Sequence, residues 1–246
     1  MDGKQPSFRD FIHVGIPGPL GQALEGWVRK GYAGWLEHGG SHNGPVSWRF
    51  WTMGPSGSKL AWGLLRDSSD SMGRPHPLLL LASCNVRAWQ NAWERLPPVL
   101  EESWRSMEQV ATKRFRSADE LQQDLRALAS ISGKAVSGPG KFSASSVMEA
   151  DELKSAAGEL KKQDGQVVKI LLSAGAKGSV PDKLTSWHVF LKQRMGKRPT
   201  AVFAGGPADS PFLYFFYRPL LTGDFQDLWS VSLRENGGGY GHIHSR

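Results

Sequence analysis

From Leu20 onward, apolar residues recur at Leu24, Trp27, Val28 and Trp35, with Gly31 on the same side. That spacing of three and four puts them on one face of a helix. Pro17 and Pro19 mark its entrance, and Gly39-Gly40 supply exit residues that tolerate positive φ, so a helix is predicted over about 19–38. After a loop to Pro45, residues 46–53, 60–66 and 77–83 are short apolar or alternating runs separated by Gly, Ser, Pro and Asp clusters, which predicts three strands of an antiparallel meander. Residues 89–110 return to helical spacing, with Leu100, Trp104, Met107 and Ala111 on one face; Pro97-Pro98 predicts a break into two pieces. Ser117 followed by Glu120 has the pattern of a capping box, and Ala118, Leu121, Leu125 and Leu128 form the stripe of a helix over 118–130.

Periodicity is lost over residues 130–147, a Ser-, Gly- and Lys-rich stretch that reads as a linker because it has too little apolar surface to offset its chain entropy. Beyond it the pattern predicts a charged helix over 149–162, strands at 167–172, 200–204 and 212–217, and a short helix over 224–229. The run from Phe212 to Tyr217 is apolar on both alternating faces, as in a strand covered on each side. The expected organisation is an N-terminal region over 1–129, the linker, an αβ region over 148–235 completing the same sheet, and a flexible Gly-rich tail over 236–246.

Composition narrows the function classes. With 39% hydrophobic and 22% charged residues the 246-residue chain can bury a core, and no apolar run approaches the length of a membrane span. No secretory h-region is found, since Arg9, Asp10 and His13 interrupt the apolar stretch near the start, and Cys84 is the only cysteine. A cytoplasmic protein is expected. Its net charge of +7 would attract nucleic acid, anionic lipid or an acidic protein alike, and most of the excess falls after residue 128. Of ten Trp, eight precede residue 105 and are read as packed junctions of sheet and helices; only Trp48-Arg49-Phe50-Trp51 has the interleaving of a base-stacking platform.

Catalytic motifs are not found. No Gly-Lys pair is followed by Ser or Thr as a phosphate-binding loop requires, and Gly54-Pro55-Ser56-Gly57-Ser58 has the wrong spacing for a nucleophile elbow. The histidines His13, His38, His42, His76, His188, His242 and His244 are scattered, and Cys84, at the end of an apolar strand, reads as a small buried hydrophobe. Asp67 and Asp70 sit among Ser, Gly and Pro, where Asp shapes turns. An enzyme would have to use the loop of Asp67, Asp70, Arg74 and His76.

The turn Ser68-Ser69-Asp70-Ser71-Met72-Gly73-Arg74, preceded by Trp62-Gly63-Leu64-Leu65 and followed by Pro77-Leu78, resembles the signature of the TagF (ImpM) family. The family's Gly-Lys-Leu-Pro-x-x-Gly-Asp-Phe and following Gly-Leu-Pro are matched by Gly3-Lys4-Gln5-Pro6, Asp10-Phe11 and Gly15-Ile16-Pro17. Trp27, Gly31 and Trp35 on the first helix and Trp48-Arg49-Phe50 agree as well, and the matches span residues 3–83. A looser likeness continues in Pro199 to Phe203 and Leu221 to Phe225. Gln5 stands where Leu is usual, Arg9 where Gly is usual and Ser71 where Arg is usual.

The resemblance implies an α/β (α+β) fold with a mixed, largely antiparallel sheet flanked by helices on both faces, a sandwich of the longin or roadblock type. It implies a non-enzymatic cytoplasmic accessory protein that represses type VI secretion after translation by binding a forkhead-associated scaffold, with no cofactor, metal or small-molecule substrate. A basic adaptor for nucleic acid or a membrane surface, drawing on Lys161, Lys162, Lys169, Lys177, Lys183, Lys192, Lys197 and Arg198, is the alternative. If Asp70 pairs with Arg74 across the Gly73 bend, the pair mainly fixes loop shape, since a partly exposed ion pair is worth about 0–1 kcal/mol, and Gly73→Val should harm folding more than Asp70→Asn does.

Overall fold

The computed structural model describes residues 1–15, 18–41, 44–54, 57, 59–85, 89–131, 166–172 and 179–231. Eight strands form one sheet: β1 (Asp2–Gly3), β2 (Ile12–His13), β3 (Ser47–Met53), β4 (Lys59–Arg66), β5 (Leu78–Asn85), β6 (Val167–Leu171), β7 (Ala201–Gly206) and β8 (Phe212–Phe216). Their order is β2-β1-β5-β4-β3-β7-β8-β6. Every ladder is antiparallel, so the largely antiparallel sheet expected from the sequence is antiparallel throughout the described residues.

Among the described residues five helices cover the two faces: α1 (Pro19–Glu37), α2 (Leu96–Thr112), α3 (Ala118–Ile131), α4 (Val180–Met195) and α5 (Thr222–Trp229). Side chains alternate across a strand, so β3 sends Trp48 and Phe50 to one layer and Trp51 to the other. The first layer holds α1 and α5, through Leu24, Val28, Trp35, Phe225 and Trp229, and the second holds α2, α3 and α4, through Leu100, Trp104, Leu121, Leu184 and Leu191. β8 lies between β7 and β6 and is buried at every position, which accounts for its unbroken apolar run.

The Trp48-Arg49-Phe50-Trp51 run is not a stacking platform. β3 is interior, with β4 and β7 as neighbours, and helices cover both of its faces, leaving Trp48, Phe50 and Trp51 at most 1% exposed. Nor do Pro97 and Pro98 break a helix. Two 3-10 turns, Trp89–Asn91 and Trp93–Arg95, lead into α2, and the prolines occupy its first turn, where no backbone N–H is required.

Sequence patterning assigned no element to α4. Its N-terminus is a capping box in which the Asp182 amide donates to Ser179 Oγ (3.4 Å) and the Ser179 amide to Asp182 Oδ2 (3.2 Å). The linker, the helix over 149–162 and the tail, with His242 and His244, fall outside the described residues.

α1 meets α5 at Gly31, where an added Cβ would lie 2.4 Å from Phe225 Cβ. Gly26, on the same helix, has no such neighbour within 4 Å. Gly31→Ala is therefore expected to cost about 1–3 kcal/mol by overpacking, while Gly26→Ala adds about 0.5–1 kcal/mol through helix propensity. Urea unfolding midpoints moving in the same direction for both would refute the close crossing.

Candidate functional site

The signature residues at one end of the sheet come together around Asp70. β1 pairs with β5 in the register Gly3↔Leu78, and Gly3 is fixed by two constraints, φ +127° and a position where a Cβ would approach Pro77 O to 2.2 Å. That contact explains why Gly3 and Pro77 belong to one pattern. Leaving β1, Lys4 reaches Asp70 Oδ2 with Nζ at 3.2 Å. The same oxygen accepts from Arg74 Nε (2.7 Å), and Oδ1 accepts from the amides of Met72 (2.9 Å) and Arg74 (3.0 Å).

Asp70 thus has a fully buried side chain with four donors aimed at it. Burial alone would raise its pKa, but the Arg74 amide, the Lys4 ammonium, the Arg74 guanidinium and the Met72 amide outweigh that and hold it well below the carboxylate range. The pair is partly exposed, Arg74 in water and Asp70 buried, but the carboxylate also holds Lys4 and two turn amides. Gly73 has φ +76° with open space around it, so a Val there meets only backbone strain, roughly 1–2 kcal/mol. Asp70→Asn instead loses the charge facing two cations, and the expected order reverses: Asp70→Asn lowers the thermal midpoint more than Gly73→Val. Equal or opposite shifts would show that the carboxylate contributes no more than the conformational freedom of Gly73.

Arg74 carries the site outward. Its Nη2 donates to Arg9 O (2.7 Å) and lies 3.6 Å from Asp10 Oδ1, while the Ser71 amide donates to Phe8 O (2.8 Å). Phe11 packs edge-on against His76 (4.8 Å between centroids), whose ring meets Tyr32 of α1 at 5.1 Å. Burial lowers the His76 pKa. In these same segments two large apolar side chains stay in water, Phe11 at 48% and Met72 at 62% exposure. Patterning did not single out Met72; its signal is an apolar residue inside a polar turn.

The departure at Gln5 has its own role. Gln5 is completely buried; its Oε1 accepts from the Ser7 amide (2.6 Å) and its Nε2 donates to Lys113 O (2.7 Å), tying the N-terminal segment to the end of α2. Exposed Pro6 lines a cleft there with Arg66, Asp67 and Ser68. Asp67 faces that cleft, whereas the oxygens of Asp70 are engaged inside the turn and His76 Nδ1 lies 2.8 Å from Pro77 O. Of the four residues an enzyme would use, Asp67 lines this cleft and Asp70, Arg74 and His76 do not.

Other signature residues stand elsewhere. Trp48 and Phe50 are core, and Trp62 is core with Nε1 donating to Ser103 Oγ of α2 (2.8 Å). Trp27 Nε1 donates to Leu221 O (2.8 Å), joining α1 to the start of α5. Arg49 bridges sheet and helix through Glu108 (2.7 Å) and Glu101 (2.8 Å); burial would depress its pKa, but these carboxylates hold it above its ordinary value. Gly15 takes φ +101° with nothing near it, and Pro17 lies outside the described residues. Cys84 is half-buried rather than buried, because it sits on the outer edge of the sheet.

Several basic residues of the second half are already engaged. Lys192 meets Glu94 at 2.6 Å, Lys169 lies over Phe212, Lys197 over Tyr217 and Arg198 over Trp89. Lys161, Lys162 and Lys177 are outside the described residues. Among the described residues, Asp2, His13 and Glu25 bring potential metal ligands within 4.8 Å of one another, and Asp2 Oδ1 is already 2.8 Å from His13 Nδ1.

Comparison with known proteins adds a family. The model of the TagF N-terminal domain, described as type VI secretion system-associated, matches residues 1–131. No curated protein matches the chain. A solved structure, PA0076 from Pseudomonas aeruginosa PAO1, is similar at 14% identity over 100% of this chain and 97% of that chain, with a TM-score of 0.48.

Proposed function

This chain belongs to the TagF family of type VI secretion-associated proteins, and from that premise we propose that it is a non-enzymatic accessory protein that represses secretion by binding a forkhead-associated scaffold of the apparatus. The observation that carries the reading is the use to which the signature is put. Lys4, Asp70 and Arg74 spend their charges on one another and on the backbone, building a tied base, while Phe11 and Met72 of the segments it ties are left in water. A base of that kind suits recognition by shape, since exposed apolar anchors on a preorganised support lose little entropy when a partner covers them. Among the described residues no helix is long and apolar enough to cross a membrane.

Calorimetric titration of the purified chain with the forkhead-associated component of its host tests this. The native chain should bind, and Phe11→Asp with Met72→Asp should weaken binding by about tenfold or more, the loss of one or two anchors. No heat from the native pair would refute the scaffold as partner. Full affinity in the double variant would move the interface elsewhere.

A further inference from the structure

β5 runs from Leu78 to Asn85, but β1 covers its outer edge only at Leu78 and Leu79. The register fixes which backbone groups are left over. In the β3–β4 hairpin the Gly54 amide donates to Lys59 O (2.8 Å), so on β4 the residues bonded to β3 are Lys59, Ala61, Gly63 and Leu65. Their alternates bond the other way, Leu60 to Cys84, Trp62 to Ala82 and Leu64 to Leu80. From the opposite side, Met1 and Val14 exchange both backbone bonds (2.8 and 2.9 Å), which turns the groups of Asp2 toward Leu79. Both routes agree that Leu81, Ser83 and Asn85 point N–H and C=O away from the sheet, and among the described residues no strand lies beyond them.

Sheet edges that stay single are normally blunted by brevity, charge or proline. Two of the edges here are: β2 has two residues, and β6 carries the exposed Lys169 at its centre. The stretch from Leu80 to Asn85 has no charged residue and no proline. Beside it lies a cavity of about 130 Å³, floored by Leu79, Leu81 and Ser83 on the strand and by Gly18 and Gly21 where α1 begins, with a charged rim of Met1, Asp2, Glu25 and Lys59. Gly18, just before α1, and Gly21 in its first turn put no side chain into that space.

We propose that the outer edge of β5 from Leu80 to Asn85 takes an extended segment of a protein partner as an added strand, one apolar side chain of that segment filling the cavity against Leu79 and Leu81. Outward amides and carbonyls spaced along a strand are matched by another extended backbone and by little else. A net charge of +7 repels a second copy of this chain and favours a partner of opposite charge. The proposal rests on the reading that the chain acts by binding a secretion component.

Hydrogen exchange of the full chain, alone and with the forkhead-associated component, tests it. The amides of Leu81, Ser83 and Asn85 should slow by about tenfold or more in the complex. Ser83→Pro removes one outward N–H without touching the ladder to β4, and should weaken binding by about tenfold with an unchanged thermal midpoint. Ser83→Lys, which keeps the N–H but places a charge at the cavity, should weaken it as well if the proline variant misfolds. A complex that leaves the three amides unprotected and tolerates both variants overturns the edge proposal while the functional reading stands. Failure of the native chain to form any complex overturns both, and protection that appears in a dimer of the chain alone assigns the edge to a second copy and overturns the proposal.

Discussion

Trp62→Ala should remove about 3–5 kcal/mol of stability, a large part of the roughly 5–15 kcal/mol a domain possesses. β4 is central, with β5 on one side and β3 on the other, and Trp62 is fully buried under α2. The loss has two sources. Truncation leaves a void too enclosed to collapse, and Ser103, itself buried, loses the indole N–H that donates to its hydroxyl at 2.8 Å. Trp62→Phe fills most of the void and forfeits only the hydrogen bond, so it should cost about 1–3 kcal/mol. Urea denaturation of both variants separates the contributions; a loss under about 1 kcal/mol for alanine would mean that α2 does not rest on this ring.

The second large effect is a dependence on acid. His188 of α4 is 2% exposed among Trp51, Trp93 and Phe215. Its Nε2 lies 3.2 Å from Trp51 Nε1 and its Nδ1 2.7 Å from Leu184 O. Indole only donates and a carbonyl only accepts, so the ring must be neutral with its proton on Nδ1. Burial pushes its pKa down to about 3. The unfolded chain, with an ordinary imidazole near 6.5, therefore binds a proton that the folded chain refuses. Stability contributed by this group is complete above about pH 6.5 and falls by about 1.4 kcal/mol per unit between there and pH 3. His188→Gln keeps an acceptor and a donor but has no titration, and should flatten that part of the pH profile. Parallel profiles for the two proteins between pH 4 and 6.5 would show that the ring can protonate in place.

The parts of the fold legible in the sequence were those set by period. α1, the β3–β5 meander and α3 follow from spacing and caps, and the Ser117 box is half realised: Glu120 N–H donates to Ser117 Oγ at 3.2 Å, but Glu120 Oε2 accepts from the Arg116 amide at 2.9 Å rather than from that of Ser117. α4 escaped because its stripe of Leu184, Trp187, His188 and Leu191 is crossed by Lys183, Thr185 and Lys192, and its capping carboxylate is Asp rather than Glu. β1 and β2, two residues each, have no period to read. They exist because β5 offers a template, which is a tertiary cause. The site was half legible for the same reason. Lys4 and Asp70 are visible as motif residues, but 66 positions separate them, and only the β1–β5 pairing brings ammonium and carboxylate to 3.2 Å.

The pairing of β3 with β7, from Ser47↔Gly206 to Thr52↔Ala201, has a practical corollary. A recombinant fragment stopped at residue 131, where the recognised family region ends, would strip Phe50 of its stacking with Phe203 and Gly31 of its packing with Phe225. Such a half-molecule should come out of expression as insoluble material, and become soluble when the polypeptide carrying β7, β8 and α5 is co-produced. The boundary drawn by sequence kinship cuts through one eight-stranded sheet.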